Sequence, residues 1–265
     1  MKVIGIMNRK GGVGKTTTVC NLAYWLASEQ GKRVLVVDLD GQGNATDCLR
    51  GTGRPVGKKE AEEASVVLHR KGNPTLGAAY GMEFPDMALD ELVERSCISP
   101  KVYLLPGGDG LFDLGDRLER VDALKLLLHN EDNRREYDVV LIDCPPEFNI
   151  AVLNAIEASD QLIIPTTDGL ASRKGAACVI EELRGGDYDV RVTVLPVMWK
   201  VKKSTGTDVQ HLGRELGCEV QPIVVRWTPK AGEADRQNEL LALYSGSCRA
   251  SMAYRALARR LATGR

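Results

Sequence analysis

Apolar residues recur along this chain in short unbroken runs, separated by stretches in which they are spaced three and four apart. The runs fall at residues 3–6, 34–37, 102–105, 139–142, 162–164, 192–197 and 223–225. Short runs that are apolar on both faces are the pattern of buried parallel strands. After the first run, Val19, Leu22, Ala23 and Leu26 follow helical spacing. Strands alternating with helices predict an α/β fold with a doubly wound, mostly parallel sheet flanked by helices. Ligands of such folds sit beyond the carboxyl ends of the strands. Residues 51–82 break the rhythm, with many glycines and a charged patch, and read as a surface insertion in a single domain spanning 1–265.

The chemistry concentrates between the first strand and the first helix, in Asn8-Arg9-Lys10-Gly11-Gly12-Val13-Gly14-Lys15-Thr16-Thr17-Thr18. Phosphate-binding loops read G-x-x-x-x-G-K-[ST]. Gly14-Lys15-Thr16 fits the end of that pattern, while Arg9 stands where its first glycine belongs and a second lysine, Lys10, opens the loop. Consecutive backbone N–H groups in a glycine-rich turn make an anion nest, and the free N–H groups of a helix start add to it. Gly11, Gly12, Val13, Gly14, Lys15, Thr16 and Thr17 are therefore the expected phosphate cradle. Lys15 should reach the outer phosphates and Thr16 should ligate Mg²⁺.

Two further strand ends carry carboxylates. The second run ends in Asp38-Leu39-Asp40-Gly41-Gln42-Gly43-Asn44-Ala45-Thr46, and the fourth in Asp143-Cys144-Pro145-Pro146. Carboxylates at the ligand-bearing sheet edge can organise Mg²⁺ or position an attacking water, which phosphoryl transfer needs more than a strong base.

The two-lysine loop and these two stretches together resemble the ParA/MinD family of P-loop ATPases, which carry a deviant Walker A motif. The resemblance implies ATP and Mg²⁺ as ligands. It implies that Lys10 crosses a dimer interface to the partner's nucleotide and that Asp40 positions the hydrolytic water. Thr16, Asp38 and Asp143 then hold the metal, the aspartates through water. The catalytic set is Lys10, Lys15 and Asp40. Gly41 departs from the proline usual in the family after the second aspartate. Residues 224–234 look like a degraded form of a family stretch near the adenine, which makes Arg226 a nucleotide-binding candidate. The implied role is DNA partition: an ATP-dependent homodimer on nonspecific DNA, its hydrolysis stimulated by a ParB-like centromere-binding protein. The alternative is a MinD-like membrane-cycling or other cargo-positioning ATPase. A tyrosine autokinase on the same scaffold needs a terminal tyrosine cluster, and none is present. An amidation enzyme of the cobyrinate type usually carries a glutamine-amidotransferase domain, which does not fit in 265 residues.

Charge adds one pointer. The net charge is −1, yet residues 171–265 hold 16 Lys and Arg against 10 Asp and Glu. A basic C-terminal third suits a polyanion such as DNA. Candidate phosphate contacts are Lys200, Lys202, Lys203, Arg226, Arg249, Arg255, Arg259 and Arg260. Residues 251–261 form an amphipathic basic segment in which alanine fills much of the apolar face, so it is expected to dock on the sheet rather than enter a membrane. The seven cysteines make no C-x-x-C pair, and no apolar run approaches the roughly 18 residues of a membrane helix. A cytoplasmic, nucleoid-associated protein with reduced thiols is the expectation. Cys144 reads as a packing residue. An iron–sulfur role would need a second cysteine in a glycine-rich setting, which Cys97 lacks.

Overall fold

The computed structural model describes residues 1–51, 89–107, 120–200, 202 and 204–264. The strands are β1 (Lys2–Ile6), β2 (Val34–Asp38), β3 (Glu94–Arg95), β4 (Val102–Leu105), β5 (Val139–Asp143), β6 (Gln161–Thr166), β7 (Arg191–Trp199), β8 (Glu219–Val220) and β9 (Val225–Arg226). The described helices, in chain order, are α1 (Lys15–Ser28), α2 (Asn44–Arg50), α3 (Leu89–Leu92), α4 (Ala123–Leu128), α5 (Glu131–Glu136), α6 (Ile150–Ala158), α7 (Leu170–Gly185), α8 (Thr205–Leu216), α9 (Pro229–Arg236), α10 (Leu241–Tyr244) and α11 (Arg249–Thr263).

The strands lie in the order β3-β4-β2-β5-β1-β6-β7-β8, with β9 paired to β7. All pairings are parallel except β3 with β4. β1 sits between β5 and β6, so the loop that follows it emerges at the middle of the carboxyl edge. Register puts Ile6 beside Asp143, and Asp143 beside Asp38. Two carboxylates from separate runs thus become neighbours at the mouth of that loop.

Strand alternation divides the core in two. Val3, Leu35, Val37, Val140 and Ile142 face the layer built by α4, α6, α7 and α8. Ile4, Ile6, Val34, Val36 and Leu141 face α1, α2, α10 and α11. The predicted helical positions Val19, Leu22, Ala23 and Leu26 are all buried in this second layer. α11 packs along α1. It buries Tyr254, Leu257, Ala258 and Leu261, and the Tyr254 hydroxyl meets Thr18 Oγ1 at 3.2 Å. The docked placement expected for this helix is what is found, and no described helix is long and apolar enough to cross a membrane.

The differences from the sequence pattern are local. β6 and β7 run past their apolar cores to Thr166 and Trp199, and the run at 223–225 is strand only from Val225. β8, a two-residue edge strand, has no apolar run to announce it. The insertion expected at 51–82 lies, apart from Gly51, outside the described residues, as does Lys203.

Candidate functional site

The loop at residues 8–14 is held from beneath by Asn8, a buried side chain. Its Nδ2 donates to Pro165 O at 2.8 Å and to Ser172 O at 3.3 Å, while its Oδ1 accepts from the Lys10 N–H at 2.9 Å. The loop ends at Gly14, with φ +79°, a left-handed conformation that side chains resist. Gly14 is also the N-cap of α1, and no side chain caps that helix. The first N–H groups of α1 therefore point into open space, the arrangement that binds an anion. Lys15 is buried, with Nζ 3.4 Å from Asn8 O and 3.5 Å from Lys10 O, over the ring of the loop. The Lys10 side chain is exposed.

Opposite lie the carboxylates. Thr16 Oγ1 donates to Asp143 Oδ2 at 2.7 Å, whereas Asp143 Oδ1 is buried with no hydrogen-bond partner. Asp38 Oδ2 accepts from Thr46 N at 2.8 Å and Thr46 Oγ1 at 2.7 Å, and its Oδ1 accepts from Asp40 N at 3.1 Å. Asp40 is half-buried and lines the cavity, with Oδ1 accepting from Gln42 N at 3.0 Å.

Burial drives the Asp38 carboxyl up to about 6, with the Asp40 charge adding to the effect and the Thr46 bonds opposing it. Asp143 is raised as well, first by burial and then by the Asp38 charge. Two buried carboxylates that repel each other, one with an orphaned oxygen, suit a cation between them and a phosphate. The described residues contain no group of three or more His, Cys, Asp or Glu side chains able to hold a metal. Magnesium does not need one, because it keeps waters and takes phosphate oxygens. Thr16, Asp38 and Asp143 fit that ion.

A raised carboxyl pKa means the folded state holds the proton more tightly than the unfolded chain. The Asp38 contribution is therefore favourable below about pH 4 and is lost as pH rises through about 6. Urea unfolding of the ligand-free protein from pH 4 to 8 is expected to show this decline in the parent. The decline should be markedly flatter in Asp38→Asn.

The cavity measures about 720 Å³ and is lined by Gly11, Gly12, Gly14, Lys15, Thr16, Thr17 and Asp40, with α2, Pro146, Met198 and residues 231–241 around the rest. That size suits a nucleotide. Val13 is buried beneath the loop rather than lining the cavity. Arg226 is not brought there either: it shares a separate concavity of about 470 Å³ with Ser247, Arg249, Met252 and Ala253. Sequence reasoning assigned no role to Asn8, Thr46 or Met198. Met198 has φ +57°, and its Cε would lie 3.2 Å from a Cβ at Gly14. Only an unusual φ in the folded chain reveals it, and its sequence context carries no such signal.

A glycine loop closing on an uncapped helix, with a Thr–Asp pair and a second buried aspartate opposite, defines a P-loop nucleotide-binding protein. Comparison with known proteins agrees. A family model described as an AAA domain matches residues 1–185. The chromosome partitioning protein ParA of Caulobacter vibrioides (strain NA1000 / CB15N) is 30% identical over 98% of this chain and 93% of its own length. The sporulation initiation inhibitor protein Soj of Bacillus subtilis (strain 168) is 29% identical over 98% of both chains. A structure of cobyrinic acid a,c-diamide synthase from Mycobacterium smegmatis, with bound ATP analogue and magnesium, aligns with TM-score 0.72 and 25% identity over all of this chain and 97% of that one. The chain belongs to the ParA/MinD family of ATPases. ATP and Mg²⁺ are ligands used in that family.

Proposed function

We propose that this protein is a Mg²⁺-dependent partition ATPase that dimerises with ATP, binds DNA without sequence preference and is released when a ParB-like partner stimulates hydrolysis. The observation that carries the enzymatic part is the meeting of Lys15, Thr16 and Asp40 at one cavity, with Thr16 bonded to Asp143 and Asp143 beside Asp38 on the neighbouring strand. The loop N–H groups and the Lys15 ammonium bind the β- and γ-phosphates. Asp40, held by Gln42 N, orients a water for in-line attack on the γ-phosphorus. The new bond joins the water oxygen to phosphorus, the bond to the β-phosphate oxygen breaks, and ADP and phosphate leave. Thr16, Asp38 and Asp143 would hold magnesium, which would supply charge neutralisation at the phosphate oxygens. The exposed Lys10 is free to reach a second copy's nucleotide. Residues 1–265 act as one ATPase unit in this reading, which the shared sheet and the packing of α11 on α1 support.

The DNA reading narrows the basic candidates. Arg255 and Arg259 both pair with Glu29, whose carboxyl is held down at about 2 by those two guanidiniums, and Arg255 stacks 5.4 Å from the Trp25 ring. These two arginines tie α11 to α1. Arg226 and Arg249 share a concavity and have no carboxylate partner among the described residues. Nearby, the exposed Lys200 lies 5.8 Å from the Trp227 ring. This face is the favoured phosphate contact. The membrane alternative has less support, because α11 turns Tyr254, Leu257 and Leu261 inward.

Binding to random-sequence duplex DNA, measured with ADP and with ATP across a salt titration, is the test. Expected is tight, salt-sensitive binding with ATP alone. The Arg226→Ala/Arg249→Ala double variant should lower the log–log salt slope by about 2. Absence of DNA binding in both nucleotide states removes the partition reading, and anionic liposomes become the next surface to try.

A further inference from the structure

The phosphate chemistry leaves two thiols at the cavity wall unused. Cys20 lies on α1, five residues after Lys15, and is 1% exposed. Cys48 lies on α2, is half-buried, and packs against the same core layer. The two residues are 28 positions apart, yet the packing of α2 on α1 sets both on the wall of the phosphate-loop cavity, with Cys48 near enough to raise the Cys20 thiol. The third cysteine of this region, Cys97, is occupied differently: its thiol donates to Leu49 O at 3.4 Å. No metal-binding group of three His, Cys, Asp or Glu exists among the described residues, so a thiolate metal centre is not the use of this pair.

Two thiols on one cavity wall, open to a space that admits a small polar molecule, are a two-electron reductant. We propose that Cys20 and Cys48 form a redox modification site, which a hydroperoxide converts to an intramolecular disulfide that weakens nucleotide binding. The sulfur of Cys48, the more accessible of the two, attacks one peroxide oxygen. An S–O bond forms, the O–O bond breaks, and the leaving oxygen takes the thiol proton and departs as water or an alcohol. Cys48 is then a sulfenic acid. The Cys20 sulfur attacks it: the S–S bond forms, the S–O bond breaks, and the hydroxide leaves as water with the Cys20 proton. In sum, two thiols and one hydroperoxide give one disulfide, one water, and one further water or alcohol. The neighbouring Cys48, and then burial, raise the Cys20 pKa, which keeps Cys20 a protonated thiol until a sulfenic acid forms beside it.

The consequence follows from what α2 carries. A disulfide holds its sulfurs at about 2.05 Å, closer than two unbonded thiols can approach. Closing that gap draws α2 toward α1. Thr46 on α2 grips Asp38 through two hydrogen bonds and accepts a third from Gly107 N at 3.0 Å. Asn44, Asp47 and Cys48 itself line the cavity. Oxidation therefore narrows the cavity and shifts the Asp38 carboxylate together. This inference rests on the nucleotide cavity and not on the DNA reading.

The test is treatment of the full reduced chain with hydrogen peroxide, followed by intact mass, peptide mapping and titration with a fluorescent ATP analogue. Expected are a loss of about 2 Da, a linked peptide pair containing Cys20 and Cys48, and affinity for the analogue at least threefold weaker, all reversed by dithiothreitol. Cys48→Ser should keep its affinity unchanged through the same treatment. In Cys20→Ala, dimedone should trap a Cys48 sulfenic acid that the parent does not accumulate. A Cys48–Cys97 linkage, no linked peptide, or a formed Cys20–Cys48 disulfide with unchanged affinity would each overturn the proposal.

Discussion

Asp40→Ala is expected to slow ATP hydrolysis by at least about 100-fold while leaving ATP affinity within a few fold, since positioning effects act on the reaction step. The two sides of the cavity explain the split. In the proposed mechanism phosphate is gripped by the loop and Lys15, whereas the Asp40 carboxylate bonds to Gln42 N. Asp40 lies in the segment between β2 and α2. Its backbone N–H is fixed by Asp38 Oδ1 and its carboxylate by Gln42 N. It is half-buried, so its removal opens no core cavity and the fold should survive. Single-turnover hydrolysis and equilibrium binding of ATP, measured side by side, decide the matter. An unchanged turnover would reduce Asp40 to a turn residue. Equal losses in binding and turnover would make it a ligand of the ground state.

The second large effect is expected far from any charged group. Gly175 lies on α7, where the helix crosses the phosphate loop. A Cβ there would overlap Asn8 Oδ1 and stand 3.0 Å from Lys10 N. Lys10 N is backbone, and the Asn8 side chain is held by its three hydrogen bonds, so neither can swing aside without breaking the clamp. Gly175→Ala must therefore either push α7 off the loop or break the Asn8 clamp. Overpacking of this kind costs about 1 to 3 kcal/mol. The same displacement moves Lys10, so nucleotide-dependent dimer formation should fall together with stability. Gly185→Ala, on the same helix, supplies the contrast. Nothing lies within 4 Å of a Cβ there, and the change should be neutral or stabilising by up to about 1 kcal/mol. Urea unfolding of the two variants, with light scattering in ADP and ATP, checks both parts. Equal behaviour of the two alanines would mean that α7 does not press on the loop.

Much of this molecule was readable from its residue order because its signals are local. A strand of four or five apolar residues needs only its own composition to be recognised, and six of the seven predicted runs are strands at nearly their predicted bounds. Gly12 and Gly14 announce a left-handed turn because only glycine tolerates it without strain. Lys15 and Thr16 stand in the motif by spacing alone, and Asp38 and Asp143 end their strands as the pattern required.

Other features depend on which strands become neighbours. Nothing in the stretch around Asp38 says that Asp143 will stand beside it. The order β2-β5-β1 decides that, and with it the raised carboxyl of Asp38. Arg226 shows the reverse case: a basic residue in a suggestive stretch is carried by the β7–β9 pairing to a different concavity. Arg255 and Arg259 were candidate surface charges until Glu29, more than 200 residues earlier, took both. Cys20 and Cys48 share a cavity wall only through the packing of α2 on α1. Local sequence thus determined the elements, the loop and the identities of the reacting groups. Tertiary structure decided their pairings, because burial, register and mutual charge are properties of contacts that the chain makes only once it is folded.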